Sequence, residues 1–284
     1  MRAIELNDST RMPPIGLGVY LVSDVAECER SVETALRSGY RLIDTAAAYR
    51  NERAVGRGVR ASGVPRDEVF VTTKIWASDA GYEKTKAAIG RSLERLGTGY
   101  IDLLLLHQPF GDYRGSWRAL EEAVVAGRVR SIGVSNFRVD DLEKLLPAAK
   151  IQPAVDQVEL HPYFQQRELR PFLRKHGIAV EAWYPIGHGS KELLAEPVLT
   201  ELGNTYAKSA VQIILRWHVQ SGIIPIPKST SPTHIRQNLD VFDFEFTGEE
   251  MRRLDALDRN RPSFRVPRWL LSPMARLAPI RQLP

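Results

Sequence analysis

Asp44, Lys74 and His107 each end a short apolar run, R-L-I-D, V-F-V-T-T-K and I-D-L-L-L-L-H, and Tyr49 follows the aspartate by five residues. These are the parts of a proton-transfer site. A free phenol has a pKa of about 10, too high for easy transfer near neutrality. A lysine ammonium a few ångströms away favours the phenolate and lowers that value, and an aspartate can hold the ammonium in place. A neutral imidazole can donate a hydrogen bond to a carbonyl oxygen and orient it. Such a set protonates an oxygen that is becoming an alkoxide, which is what carbonyl reduction requires. It supplies no hydride, so a nicotinamide cofactor has to. Each residue alone has a plainer reading: Asp44 as a helix cap, Lys74 as a surface residue at a strand end, His107 as a satisfied core histidine. Their recurrence at the ends of three successive runs is what sets them apart.

Four further runs end in the same manner: I-G-V-Ser135-Asn136, A-V-D-Gln157, A-V-E-A-Trp183 and I-I-P-I-P-Lys228. Helical stripes separate the runs, as in Val25, Cys28, Val32, Ala35 and Leu36, a stripe that Gly39 ends. Strand and helix in strict alternation predict parallel strands joined by crossovers, so the strand C-termini gather on one face. In a closed eight-stranded barrel that face carries the active site. The expected fold is therefore α/β, a (β/α)8 TIM barrel. Its strands are predicted at 15–20, 41–44, 69–74, 101–106, 129–134, 154–158, 178–183 and 223–226. Alternating residues around Asn7-Asp8 predict an N-terminal β-hairpin over the closed bottom. Residues 184–207 read as a longer connection, and 248–258 as a helix outside the eightfold count.

The chain has 284 residues, which suits one barrel domain spanning 1–284. Its 39 lysines and arginines exceed its 34 acids, but six of the arginines follow Asp258 and no acid does. The first 258 residues thus carry 33 bases against 34 acids. The positive balance belongs to a proline-punctuated tail, 260–284, expected to be irregular, and not to the folded body. A nucleic-acid partner is not expected on that ground. Cys28 is the single cysteine, so no internal disulfide can form and a reducing cytoplasm is the expected setting. Neither a signal-peptide pattern nor an apolar run of about 20 residues occurs, so no membrane span is expected. No H-x-H or H-E-x-x-H pair offers a metal site, and no G-x-G-x-x-G turn opens a Rossmann unit.

Three blocks, G-Y-R-L-I-D-T-A-A-A-Y-R-N-E (39–52), L-L-L-H-Q-P (104–109) with G-V-S-N-F (133–137), and I-P-K-S-T (226–230), resemble the aldo-keto reductase family. The likeness runs from G-L-G-V-Y to the tail and is to bacterial-type members, similar to diketogulonate reductases and prostaglandin F synthase-like enzymes. It implies NADPH-dependent reduction of aldehydes and ketones, with Asp44, Tyr49, Lys74 and His107 as the catalytic set. It implies that Ser135, Asn136 and Gln157 bind the nicotinamide carboxamide, and that Trp183 stacks on the ring where the family usually has tyrosine. Lys228 and Ser229 match residues at the 2′-phosphate, and Gln237 and Asn238 match residues near the adenine. His234 stands where many members place an arginine on that phosphate, so NADP(H) is the expected cofactor with some NAD(H) use. Tyr20, Trp76, Gln108 and Phe110 match positions that line the substrate pocket, Gln108 replacing a tryptophan of some members. The expected partner is a small carbonyl compound, and the expected state a monomer. The alternative is an NADP-binding regulatory or redox-sensing module, since some relatives of the family serve as cofactor-binding subunits of channels; an intact proton-donating set weighs against it.

Overall fold

Eight apolar runs pair side by side in one parallel sheet whose spatial order is the chain order. They are β3 (Leu17–Gly18), β4 (Leu42–Asp44), β5 (Phe70–Ile75), β6 (Ile101–Leu106), β7 (Val129–Ser135), β8 (Val155–Glu159), β9 (Ala179–Trp183) and β10 (Ile223–Pro225). The edges then meet: Gly16 and Gly18 donate backbone hydrogen bonds to the Pro225 and Pro227 carbonyls, and Gly18 bridges Lys228. Close approach is possible there because a Cβ on Gly18 would lie 2.9 Å from the Ile226 carbonyl oxygen. The result is the closed (β/α)8 barrel expected. This computed structural model describes residues 3–263 and Ser272.

Side chains alternate across each strand, so residues two apart share a face. Leu42, Leu103, Leu105, Val155 and Ile224 point inward and form a small apolar plug. Their alternates Ile43, Leu104, Ile132 and Val134 point outward into the larger core beneath the helices. A short antiparallel hairpin, β1 (Ile4–Glu5) with β2 (Arg11–Met12), brings Leu6 and Met12 against the plug. Asn7 Nδ2 anchors it on the Pro153 carbonyl at 2.8 Å, just before β8 begins. The predicted cap thus covers the end where strands start.

The crossovers are α1 (Val25–Arg37), α2 (Glu52–Ser62), α3 (Tyr82–Leu96), α4 (Tyr113–Val125), α5 (Val139–Leu145), α6 (Leu169–Lys175) and α9 (Ala210–Gln220), with α10 (Pro232–Leu239) closing the eighth unit. Several start on side-chain caps: Asp24 accepts from Glu27 N at 2.6 Å, and Ser209 and Gln212 form a reciprocal capping box. The longer connection expected at 184–207 contains α7 (Lys191–Leu194), capped by Ser190, and α8 (Pro197–Tyr206), opened by a proline. α11 (Gly248–Asp255) is the expected extra helix. Cys28 is sealed in the outer core, where burial pushes its thiol up to about 12 and makes it inert. No helix among the described residues is long and apolar enough to cross a membrane. The predicted irregular tail lies outside the described residues beyond Ser263, apart from Ser272.

Asp156 is the awkward residue of this fold. Its side chain points outward from β8 into the layer beneath the helices, and neither carboxylate oxygen makes a well-formed hydrogen bond. Burial pushes its pKa well above the usual range, the nearby Phe137 N–H opposing this and Asp141 adding to it. The folded state therefore keeps a proton that the unfolded chain releases above about pH 4, so stability is lost as pH rises through that window. We expect Asp156→Asn to be increasingly more stable than wild type between pH 5 and 9. The gap in Tm should widen by about 2 °C, from roughly 1 kcal/mol in a chain of this size. Parallel melting curves at all pH values would refute this.

Candidate active site

The inward alternation continues upward from the plug, but its residues change character. Asp44, Lys74, His107, Ser135, Gln157, Glu181 and Trp183 occupy the C-terminal ends of six of the strands or the step just beyond. Lys74 is fully buried, and its Nζ donates to Asp44 Oδ1 at 2.6 Å, Asp44 Oδ2 at 2.8 Å and the Thr45 carbonyl at 2.7 Å. An ammonium has three protons, so its 3.4 Å contact with Tyr49 Oη is the weakest of four. Tyr49 is brought there by one 3-10 turn, Ala47–Tyr49, that Arg50 ends in the left-handed region at φ 64°.

The loop after β4 is held from below by the remaining residues of D-T-A-A-A-Y-R-N-E. Thr45 Oγ1 donates to Asn51 Oδ1 at 2.7 Å, and Asn51 Nδ2 donates to the Val19 and Val22 carbonyls. Glu52, wholly buried, accepts from Thr73 Oγ1 and from Arg95 Nε, each at 2.6 Å. That motif is thus one phenol on a locked frame.

The electrostatics correct one expectation. Tyr49 is not made more acidic: burial pushes its phenol well above 10, the Asp44 carboxylate adds to the rise, and Tyr20, Glu181 and Tyr184 follow. Lys74 directs its charge at Asp44 and Thr45 rather than at the phenol. Asp44 itself is pushed up by burial and pulled back by the Lys74 ammonium and the hydrogen bonds from Lys74 and Gln157. His107 behaves as expected. Burial, then the charge of Lys74, holds it well below its ordinary value, so the imidazole is neutral. Its Nδ1 is sealed without a partner, leaving Nε2 as the nitrogen that can meet a ligand.

A cavity of about 670 Å³ opens above this cluster. Tyr49, Trp76, His107, Gln108 and Trp183 line it, with Tyr20 at its mouth, 42% exposed and 5.0 Å from the Tyr49 ring. Trp76 meets His107 edge-on at 4.9 Å. Phe110 does not line the cavity: it is buried behind Trp76 against Ala77, because the chain turns inward after Gln108. Asn136, at φ 63°, donates to the His107 carbonyl and Ser135 Oγ at 3.1 Å each and accepts from Trp183 Nε1 at 3.0 Å. Lys228 lines the same cavity, exposed and with no acidic partner among the described residues. Ser229 is buried beside it and accepts from Ser231 N at 3.2 Å. His234 and Gln237 are exposed on α10 and Asn238 is buried there; these three are outside the lining. Gln157 Nε2 donates to Asp44 Oδ2 at 2.8 Å and Glu181 Oε2 at 2.6 Å.

Two participants were not singled out from sequence. Glu181 sits two residues before Trp183, so the period-two rule alone puts it inward, below the strand end where the other polar residues stand. The loop Tyr184–Gly189 roofs the cavity, with Tyr184 and His188 at φ 50° and 56°, and no composition signal marks it. Among the described residues, no group of three or more His, Cys, Asp or Glu could hold a metal ion.

A closed barrel with its charged interior gathered beneath a solvent-open cavity is built as an enzyme. The chain belongs to the aldo/keto reductase family, whose model matches residues 14–259. It is 50% identical over 260 residues to the 9,11-endoperoxide prostaglandin H2 reductase of Trypanosoma cruzi, covering 91% of this chain and 92% of that one. It is 48% identical over 258 residues to the glyoxal reductase of Bacillus subtilis, 90% and 93% being covered. An aldo-keto reductase structure from Bombyx mori in complex with NADP superposes with a TM-score of 0.89 at 36% identity, covering 95% and 97%. The protein is an NAD(P)H-dependent oxidoreductase.

Breaking one half of a buried ion pair leaves an uncompensated charge, at a cost of about 3–5 kcal/mol. Lys74→Met should therefore lower stability by that order in denaturant titrations. The double variant Lys74→Met with Asp44→Asn should recover at least half of the loss. No recovery would mean the pair is not the coupled unit described.

Proposed function

We propose that the protein reduces aldehydes and ketones to alcohols with NADPH, Tyr49 donating the proton. The observation that carries this reading is that a protonated phenol and a neutral imidazole face one cavity directly above a buried lysine–aspartate pair. His107 orients the carbonyl oxygen by a hydrogen bond from Nε2–H. Tyr49 gives its proton to that oxygen as charge builds there. Lys74, 3.4 Å away, then steadies the phenolate, while Asp44 keeps Lys74 in place. The raised phenol pKa suits this direction of chemistry, because the donor stays loaded across the physiological range.

The chain also has groups that fit a nicotinamide dinucleotide, which supplies the hydride when bound. Trp183 offers an indole whose plane is fixed by its bond to Asn136. Ser135, Asn136 and Gln157 offer polar atoms beneath it, and Lys228 is a cation with no acidic partner among the described residues, suited to a 2′-phosphate. Ser229, His234, Gln237 and Asn238 follow Lys228 at the rim and take the remaining cofactor contacts in this reading. The substrate is a small carbonyl compound with an apolar body, matched to Tyr20 and Trp76, with Gln108 as a polar contact. A relative from Pseudomonas putida is a morphine 6-dehydrogenase at 47% identity, and that from Bacillus subtilis is a glyoxal reductase at 48%. Overall identity therefore does not rank one substrate over another.

Two variants test the assignment. Tyr49→Phe should lose at least about 10²-fold in steady-state aldehyde reduction, with NADPH affinity within twofold of wild type by tryptophan fluorescence quenching. Retention of more than a tenth of the rate would remove Tyr49 from the role. His234→Arg adds a permanent charge that can fork onto a phosphate, worth about 1.5–3 kcal/mol. NADPH binding should tighten about tenfold or more, with NADH affinity unchanged. An equal change for both cofactors would place residue 234 away from the 2′-phosphate.

A further inference from the structure

Below the cavity the barrel holds a second carboxyl group for which the scheme above has no use. Glu181 is fully buried on β9, paired in register with Gln157 on β8 and Ile224 on β10. Gln157 Nε2 bridges the two acids, with one N–H for Asp44 Oδ2 and one for Glu181 Oε2. Glu181 Oε1 is sealed from solvent and has no partner. The charged and titratable groups that act on Glu181 are Asp44 and Lys74, from β4 and β5, and Tyr49, from the turn after β4, is coupled to it; Gln157 and Ile224, from the flanking strands, carry no charge. Two acids thus share one ammonium, and Lys74 bonds both oxygens of Asp44 and neither of Glu181. A bare carboxylate at Glu181 would be a buried charge without a counter-ion, which is strongly disfavoured. The proton of the group therefore resides on Glu181.

We propose that Glu181 is a positioning residue of the reducing site: as a neutral acid it holds the Gln157 amide against Asp44, and its ionisation disables proton donation by Tyr49. Neutral, it accepts one N–H of Gln157 and keeps that side chain beside the cavity. Ionised, it adds a second negative charge beside Asp44. That charge, when formed, adds to the effect of the Asp44 carboxylate and drives the Tyr49 phenol further up, so the proton is given less readily. Burial first, then Asp44, pushes the Glu181 carboxyl to about 8, within working pH; the hydrogen bond from Gln157 and the charge of Lys74 pull the other way. Because the two acids are coupled, the apparent value belongs to the pair. The geometry assigns the proton to Glu181.

The proposal rests on the reducing role of the site, so its test has an arm free of turnover. In ligand-free protein carrying Asp156→Asn, infrared spectroscopy should show a protonated carboxyl band that disappears between pH 7 and 9. Adding Glu181→Gln should abolish that band. A band that persists with Glu181→Gln, or is missing without it, overturns the assignment. In turnover, wild-type kcat/KM for aldehyde reduction should fall about tenfold between pH 7 and 9, following one ionisation. Glu181→Gln keeps the acceptor but cannot ionise, and should fall less than threefold. Glu181→Leu loses the acceptor as well, and should weaken NADPH binding by about tenfold at pH 7 while Glu181→Gln stays within twofold. Identical pH profiles for wild type and Glu181→Gln, or unchanged NADPH affinity in Glu181→Leu, overturn the proposal. A wild type without carbonyl reduction would refute the reducing function itself, and the infrared titration would still decide where the proton lies.

Discussion

An ammonium closed inside a β-barrel has to be neutralised within its own reach, and this one demand shapes the upper half of the molecule. Lys74 is fully buried, so it cannot call on water. Its partners are two oxygens of Asp44 and the Thr45 carbonyl, all supplied by the turn that leaves β4. A carbonyl can point inward there only if the turn is held in an irregular shape. Asn51, bonded to Thr45 and to the Val19 and Val22 carbonyls, does that, and Glu52 ties the start of α2 to Thr73 and Arg95. Tyr49 lies between these anchors. Its place above Lys74 follows from the same bonds that neutralise the lysine.

The barrel interior is accordingly divided. Near the strand starts it is an apolar plug closed by Leu6 and Met12 of the hairpin, and this part carries stability. Near the strand ends it is a chain of polar contacts running from Lys74 through Asp44 and Gln157 to Glu181. Both halves arise from one period-two alternation, with only residue type changing along the strand. The outward alternates Ile43, Leu104, Ile132 and Val134 stay apolar throughout, because the helices cover the full length of the sheet.

That alternation explains what was legible in the sequence. Strand ends, capped helix starts and the spacing of Asp44 to Tyr49 were all readable, since each depends on local pattern. The gathering of Asp44, Lys74 and His107 needed nothing more than the rule that parallel strands end on one face. What escaped depends on direction and distance. The rise in the Tyr49 pKa follows from Lys74 facing Asp44, and no spacing reveals how an ammonium divides its three bonds. Phe110 matched a pocket position by order along the chain, yet the turn after Gln108 buries it behind Trp76. Helices α7 and α8 were hidden because four and ten residues are too few for a stripe to stand out. Glu181 lay within a run that was read only for its last residue.

The same division locates where members of such a family can diverge. Changing a strand-end residue disturbs Lys74 and its partners together, since each bond there is shared. The roof is held differently. Tyr184–Gly189 is followed by Glu192 and Glu196, which pair with Arg259, while Arg261 reaches Glu192 and the Arg259 guanidinium rests 3.8 Å over the Tyr163 ring. These are mostly exposed contacts, each worth about 1 kcal/mol or less. Leu193 is buried close to Gly187 and anchors this segment, whereas the exposed ion pairs around it can change at little cost to the barrel. Relatives named for glyoxal and for morphine, each nearly half identical to this chain, fit that arrangement. The lysine–aspartate pair stays with the strand ends because a buried charge fixes it, and the ion pairs at the roof are freer to vary because they are largely exposed.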